Sequence, residues 1–210
     1  MIISYHEGEC FKITFGDTTL VLNPVSKDSK LKKIRFGADI ALISLNDVDF
    51  NGVDQIAHGG KSPFVIVGPG EYEMHKVYIR GIPSVSNYGG KERINTIYMI
   101  SLEGINLCFL GALGTRKINA ETKELLGNID VLFVPIGGEG VLSPSEAHEL
   151  SVELEPNIII PMHYAGIGEK DALSIFLKEE SVTNNGTLDK LTLKKRDLEG
   201  KEGEVVVLSS

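Results

Sequence analysis

The chain has 210 residues, 42% of them hydrophobic and 24% charged, a balance that excludes a disordered body and leaves enough apolar surface for a sizeable core. Its formal net charge of −8 argues against a generic phosphate-binding surface, so tight non-specific nucleic-acid binding is not expected. No apolar run nears the ~18 residues of a membrane span, no charged-then-apolar leader is present, and Cys10 and Cys108 lie in separate apolar runs without metal-knuckle spacing, so one cytoplasmic domain over residues 1–210 with two buried free thiols and no membrane partner is expected.

In chain order, residues 9–15 and 18–23 read as strands around Gly16-Asp17, a hairpin signal in reverse order. Residues 39–44 predict another strand. Residues 64–67 and 71–80 follow, separated by Gly68-Pro69-Gly70. Residues 94–102 and 105–110 predict a second hairpin around Glu103-Gly104.

The second half alternates. Residues 119–126 predict a helix and 131–135 a buried strand. Residues 143–154 are the clearest helix: Ser143 caps it, Pro144 suits its first turn, and Glu146 completes a Ser-x-x-Glu box. A strand over 157–162 ends at His163, and a helix follows over 170–179. Residues 188–195 and 204–208 predict a terminal pair of strands. Lys190, Lys194, Lys195 and Arg196 form the best candidate for a local basic patch, a solvated strand edge being the simpler account. Hairpins first and βα units later bury all these elements if two sheets pack together with helices outside.

Several motifs fall in one order. Glu9-Cys10-Phe11 is followed by Leu20-Val21-Leu22-Asn23-Pro24. Then come Gly68-Pro69-Gly70-Glu71-Tyr72-Glu73, Val134-Pro135-Ile136-Gly137-Gly138 and Ile159-Ile160-Pro161-Met162-His163-Tyr164. Together they resemble the metallo-β-lactamase-fold hydrolases, and within them the ascorbate-6-phosphate lactonase-like proteins. The resemblance implies an α/β fold, a four-layer αββα sandwich.

It also implies two divalent ions, usually zinc, that activate a water. The family signature Thr-His-x-His-x-Asp-His falls on residues 44–50. There Leu45, Asp47 and Phe50 stand at the histidine positions, and only Asp49 is unchanged. Phe109 and Ala112 occupy the later His and metal-bridging Asp positions, Gly8 an early His position, and Asn23 an Asp position. His163 matches the last ligand.

The resemblance therefore implies a thin ligand set of Asp47, Asp49 and His163, with apolar Leu45, Phe50, Phe109 and Ala112 turning a charged site into a hydrophobic plug. Zinc generally needs three or four protein ligands. His6, His58 and His75 are weaker candidates to rebuild a site; His148 reads as a surface residue on its helix. Asp47 and Asp49 share one side of an extended loop, and Asp49 is equally a cap for a helix starting at Asn51. Glu71 and Glu73 would line a pocket mouth or sit on a solvated strand. The Gly137-Gly138-Glu139-Gly140 loop precedes a helix but lacks a P-loop lysine.

The expected function is a non-catalytic binding or scaffold module with a protein or small-molecule partner, homo-oligomerisation being a further option. The alternative is a metal-dependent hydrolase for a phosphoester or lactone. It would use Asp47, Asp49 and His163 with one Zn, Mn or Mg ion. A third reading is metal-free acid–base hydrolysis by His163 and an aspartate.

Overall fold

The computed structural model describes residues 1–60, 62–183 and 186–210. Its first sheet begins as an antiparallel meander of β1 (Ile2–Tyr5), β2 (Phe11–Phe15) and β3 (Thr18–Leu22). Gly16 and Asp17 turn the β2–β3 hairpin, with Gly16 at φ +51°. β4 (Ile40–Leu42) and β5 (Phe64–Ile66) extend the sheet in parallel.

The second sheet contains β6 (Gly70–Met74), β7 (Val77–Ser86), β8 (Arg93–Leu102) and β9 (Ile105–Phe109), all antiparallel neighbours. β10 (Val131–Pro135) and β11 (Ile158–Met162) then join β9 in parallel. Every residue of β10 and β11 is buried, as expected for parallel strands covered on both faces.

The two sheets close on one apolar core. Ile13, Leu20 and Leu42 come from the first, and Ile79, Tyr98, Ile100, Phe109, Phe133 and Ile160 from the second. Alternation along β8 sends Tyr98 and Ile100 inward and Ile97 and Met99 outward. The outward residues meet Leu126 of α1 (Ala120–Leu126), Ala147 and Leu150 of α2 (Pro144–Leu154), and Phe176 of α3 (Ala172–Glu179). Asn119 caps α1 by accepting from the Thr122 N–H at 2.7 Å. At α2 the predicted capping box forms, with the Glu146 carboxylate accepting from the Ser143 N–H at 2.9 Å.

The fold is thus an α/β sandwich of two mixed sheets. The outer face of the first sheet is covered mainly by irregular chain: Val25, Leu31, Ile34, Ala38 and Ile56 pack on Cys10, Val21 and Ala41. Among the described residues that layer contains a 3-10 turn, Val53–Gln55, and no α-helix. This turn has no side-chain cap, so Asp49 does not cap a helix here.

Three local expectations differ. Residues 71–80 are a hairpin, not one strand, turning at His75 and Lys76 with φ +49° and +64°; neither residue is a usual turn signal. β1 is an additional strand. The C-terminal pair is reduced to a single parallel bridge between Leu188 and Leu208: β12 (Leu191–Thr192) adds to β1, β13 (Glu204–Val205) adds to β11, and a 3-10 turn covers Lys195–Leu198. Each short segment finds a better unpaired edge in a different sheet. No helix among the described residues is long and apolar enough to cross a membrane.

Candidate functional site

β11 ends at Met162, and the next residue, His163, turns into the left-handed region at φ +62°. Its N–H donates to the Gly8 carbonyl at 2.7 Å. Gly137 permits that turn: a Cβ there would lie 2.1 Å from the His163 carbonyl oxygen. On the opposite sheet, Glu7 and Gly8 are also left-handed and deliver Glu9 to the interior.

The result is a fully buried chain of polar groups. The His163 Nδ1 lies 2.7 Å from the Glu9 Oε1. Asn23 Nδ2 donates to Glu9 Oε2 at 2.7 Å and to Ser44 Oγ at 2.8 Å, and Asn23 Oδ1 accepts from the Ser44 N–H at 2.8 Å. Gly111 lets the strand ends approach, since a Cβ there would meet Ser44 Oγ at 2.4 Å. Asn95 donates to the Leu110 carbonyl and to Ser84 Oγ. Among the buried atoms without a partner in the described residues, Asn95 Oδ1, His163 Nε2 and Arg93 Nε belong to this site, while His6 Nε2 and Ser151 Oγ lie apart from it.

The two aspartates are already engaged. Asp49 accepts from Ser29 Oγ at 2.5 Å and from the Tyr88 hydroxyl at 2.6 Å, one on each oxygen. Asp47 accepts from the Asp49 N–H at 3.2 Å and pairs with the Arg93 guanidinium at 3.0 Å. Arg93 also donates to the Tyr88 carbonyl at 2.7 Å. Burial, then the hydrogen bond to Asp49, pushes the Tyr88 phenol well above its ordinary range, so it remains a donor. The Tyr88 ring lies edge-on to His163 at 5.1 Å and 5.1 Å from Phe50; Phe50 is 6.1 Å from His163.

Leu45, Phe50, Ala112 and Val141 make a buried apolar cluster beside these groups, flanked by Tyr88 and Ile167. Phe109 does not belong to it. It packs in the inter-sheet core 6.1 Å from Phe133, because β9 alternates and Ile105, Leu107 and Phe109 all point inward.

The other candidates lie apart. His6 is stacked near Phe36 at 5.3 Å, its pKa lowered by burial and by the Lys12 and Lys32 charges. His58 and His75 are exposed, and His148 pairs with Glu180 at 3.0 Å. Glu71 and Glu73 are exposed, Glu71 pairing with Arg80. The Gly137–Gly140 loop faces its own carboxylate, since a Cβ on Gly138 would lie 2.7 Å from Glu169; that disfavours an anion there. The carboxylate on His163 is Glu9, not an aspartate.

Among the described residues no three His, Cys, Asp or Glu side chains converge as a metal-binding group. The donor chemistry agrees: both oxygens of Asp49 carry hydrogen-bond donors, and a fixed guanidinium stands against Asp47. A divalent ion at Asp47, Asp49 and His163 would have to displace the Arg93 guanidinium from Asp47 and compete with the donors on Asp49. The residues present do not fit the family's metal pair.

Glu9, Ser44, Tyr88 and Arg93 were not legible as site residues. Glu9 carried a faint signal, a carboxylate entering an apolar strand. Ser44 stood at the first position of the aligned signature without marking a role, and Tyr88 and Arg93 gave no signal, because the aspartates they reach lie far away in the chain.

Residues 2–163 match the family described as Beta-lactamase superfamily domain. A UPF0173 metal-dependent hydrolase of Listeria monocytogenes serotype 4a is 25% identical over 195 residues, covering 78% of this chain and 85% of the relative. A UPF0173 metal-dependent hydrolase of Thermococcus onnurineus is 34% identical over 98 residues, 45% of this chain and 44% of the relative. Among solved structures, a protein of Thermotoga maritima described as a Zn-dependent hydrolase of the metallo-beta-lactamase superfamily aligns with TM-score 0.76 and 27% identity. That alignment covers 99% of this chain and 97% of the other. These relatives do not carry the lactonase-like branch name.

Proposed function

As the chain belongs to the beta-lactamase superfamily domain family, we propose that it is a non-catalytic member that works by binding a partner. The observation that carries this reading is that both aspartates among the remaining ligand positions, Asp47 and Asp49, are already engaged by neighbouring side chains. Asp47 is neutralised by Arg93, Asp49 holds one hydrogen-bond donor on each oxygen from Ser29 and Tyr88, and Leu45, Phe50 and Ala112 fill the adjoining space with apolar side chains. A metal pair needs a bridging carboxylate and flanking imidazoles to offset ion repulsion and dehydration. Ala112, Leu45 and Phe50 offer no lone pairs.

A second reading, a metal-dependent hydrolase with a reduced site, is favoured by the names of the relatives and by the partnerless His163 Nε2. It would hold one Zn, Mn or Mg ion on Asp47, Asp49 and His163 and act on a phosphoester or lactone. Elemental analysis of protein purified without chelator separates the two. The proposal expects well under one ion per chain after desalting and no phosphoesterase or lactonase turnover. Two tightly held zinc ions refute it. One ion that is lost in His163→Ala, together with turnover, establishes the second reading.

A further inference from the structure

The sequence contains a concentration of charge that the acidic total conceals. Residues 27–35 carry Lys27, Lys30, Lys32, Lys33 and Arg35 against one carboxylate, Asp28. The rest of the chain is therefore more acidic than its −8 total. The C-terminal basic run is partly neutralised, two of its four cations being paired. Lys195 pairs with Asp130 at 2.9 Å, and Arg196 lies 3.6 Å from Asp197. In residues 27–35 all five cations are exposed, and none makes an ion pair with a described residue.

The segment is a strap fixed in place. Ser29, Leu31 and Ile34 are buried between the exposed cations. Leu31 and Ile34 pack on the outer face of the first sheet. Ser29 Oγ holds Asp49, and the Lys32 N–H donates to Glu7 at 2.9 Å. Further along, the Ala38 N–H donates to the Ile56 carbonyl at 3.0 Å. At the far end, Lys12 Nζ sits 4.7 Å from the Phe36 ring centroid, adding a sixth cation. The buried anchors leave four lysines and one arginine exposed on a segment tied to the candidate site through Ser29 and Asp49.

We propose that this strap is a docking surface for a short acidic segment of a partner protein. Charge complementarity selects the class of ligand, and length selects its source. The Debye length is about 8 Å at physiological salt, so a partner feels chiefly the charges it lies upon. An acidic peptide segment confines its carboxylates to the strap. A nucleic acid places a phosphate along every few ångströms of its whole length. Most of them would face the acidic remainder, and Phe36, the aromatic at the strap, is already covered by Lys12 and His6. An anionic bilayer meets the same repulsion over a still larger area, and the strap offers no exposed apolar wedge, since Leu31 and Ile34 are buried. This inference is independent of whether the neighbouring pocket holds a metal.

The test is fluorescence anisotropy with a labelled ten-residue poly-glutamate peptide, in parallel with a ten-nucleotide single-stranded RNA. The comparison uses the full chain and the variant Lys30→Gln/Lys32→Gln/Lys33→Gln/Arg35→Gln, which leaves every buried anchor in place. The peptide is expected to bind at low salt, to be released as salt rises, and to bind the variant roughly tenfold or more weakly. A control variant, Lys190→Gln/Lys194→Gln, is expected to bind like the parent. The proposal is overturned by no peptide binding at low salt, by equal binding to the quadruple variant, or by tighter binding of the RNA than of the peptide. An unchanged thermal midpoint of the quadruple variant shows that any lost binding is not lost folding.

Discussion

Glu9 and His163, 154 positions apart in the chain, meet at 2.7 Å with both side chains fully buried. They join the β1–β2 loop to the end of β11 across the gap between the sheets. Removing one partner of this buried hydrogen bond leaves the other unsatisfied, at a cost of about 1–3 kcal/mol. His163→Ala and Glu9→Ala are each expected to lower unfolding free energy in urea by that amount. The double variant should cost much less than the sum. Additive losses would show that the two groups do not act as a unit.

The apolar cluster gives a second expectation. Phe50 is fully buried against Tyr88 and near His163. Replacing it with the family's histidine, Phe50→His, removes packing and buries a polar ring. A destabilisation of roughly 3 kcal/mol is expected, with no gain of tightly held zinc. A variant of unchanged stability that retains zinc through desalting would mean that the metal site needs a single substitution to reappear.

Stability should fall on the alkaline side. Burial pushes the Cys10 thiol up to about 12 and the Tyr164 phenol up to about 12, and it raises Tyr5, Tyr98, Cys108 and Tyr88 as well. In the unfolded chain such thiols and phenols lose protons from about pH 8.5 and 10. The folded chain keeps those protons, so the stabilisation is fully present below about pH 8.5 and is lost as pH rises. Each group contributes a slope of up to about 1.4 kcal/mol per pH unit. Urea midpoints between pH 8 and 11 should decline, and Tyr88→Phe should make the decline shallower. A flat profile would contradict the burial of these groups.

At the N-terminus of α2, Ser143→Ala removes the hydroxyl of the capping box while leaving the buried face of the helix intact. A loss of about 1 kcal/mol is expected by thermal or urea unfolding. A change within about 0.3 kcal/mol would place the start of this helix under the control of its packing on α3 and β10.

Much of the architecture follows from local patterns. The alternating hydrophobicity of residues 11–22, the apolar runs of 131–135 and 158–162, and the Ser143-Pro144-Ser145-Glu146 start each act within a few residues, so they survive as sequence signals. The motif order around Asn23, Gly68-Pro69-Gly70, Gly137 and His163 marked the family for the same reason: tight turns require particular residues wherever they occur. The five cations of residues 27–35 were equally present in the sequence, but no local pattern distinguishes an ion-paired lysine from a free one. That was decided when Asp130 closed on Lys195 while no carboxylate among the described residues paired with the strap cations. Tertiary contact also decided the site. Arg93 reaches Asp47 across 46 positions, Tyr88 reaches Asp49 across 39, and Glu9 reaches His163 across 154. A side chain's charge and hydrogen-bonding capacity are written in the sequence, but which partner satisfies them depends on how the two sheets bring distant strand ends together.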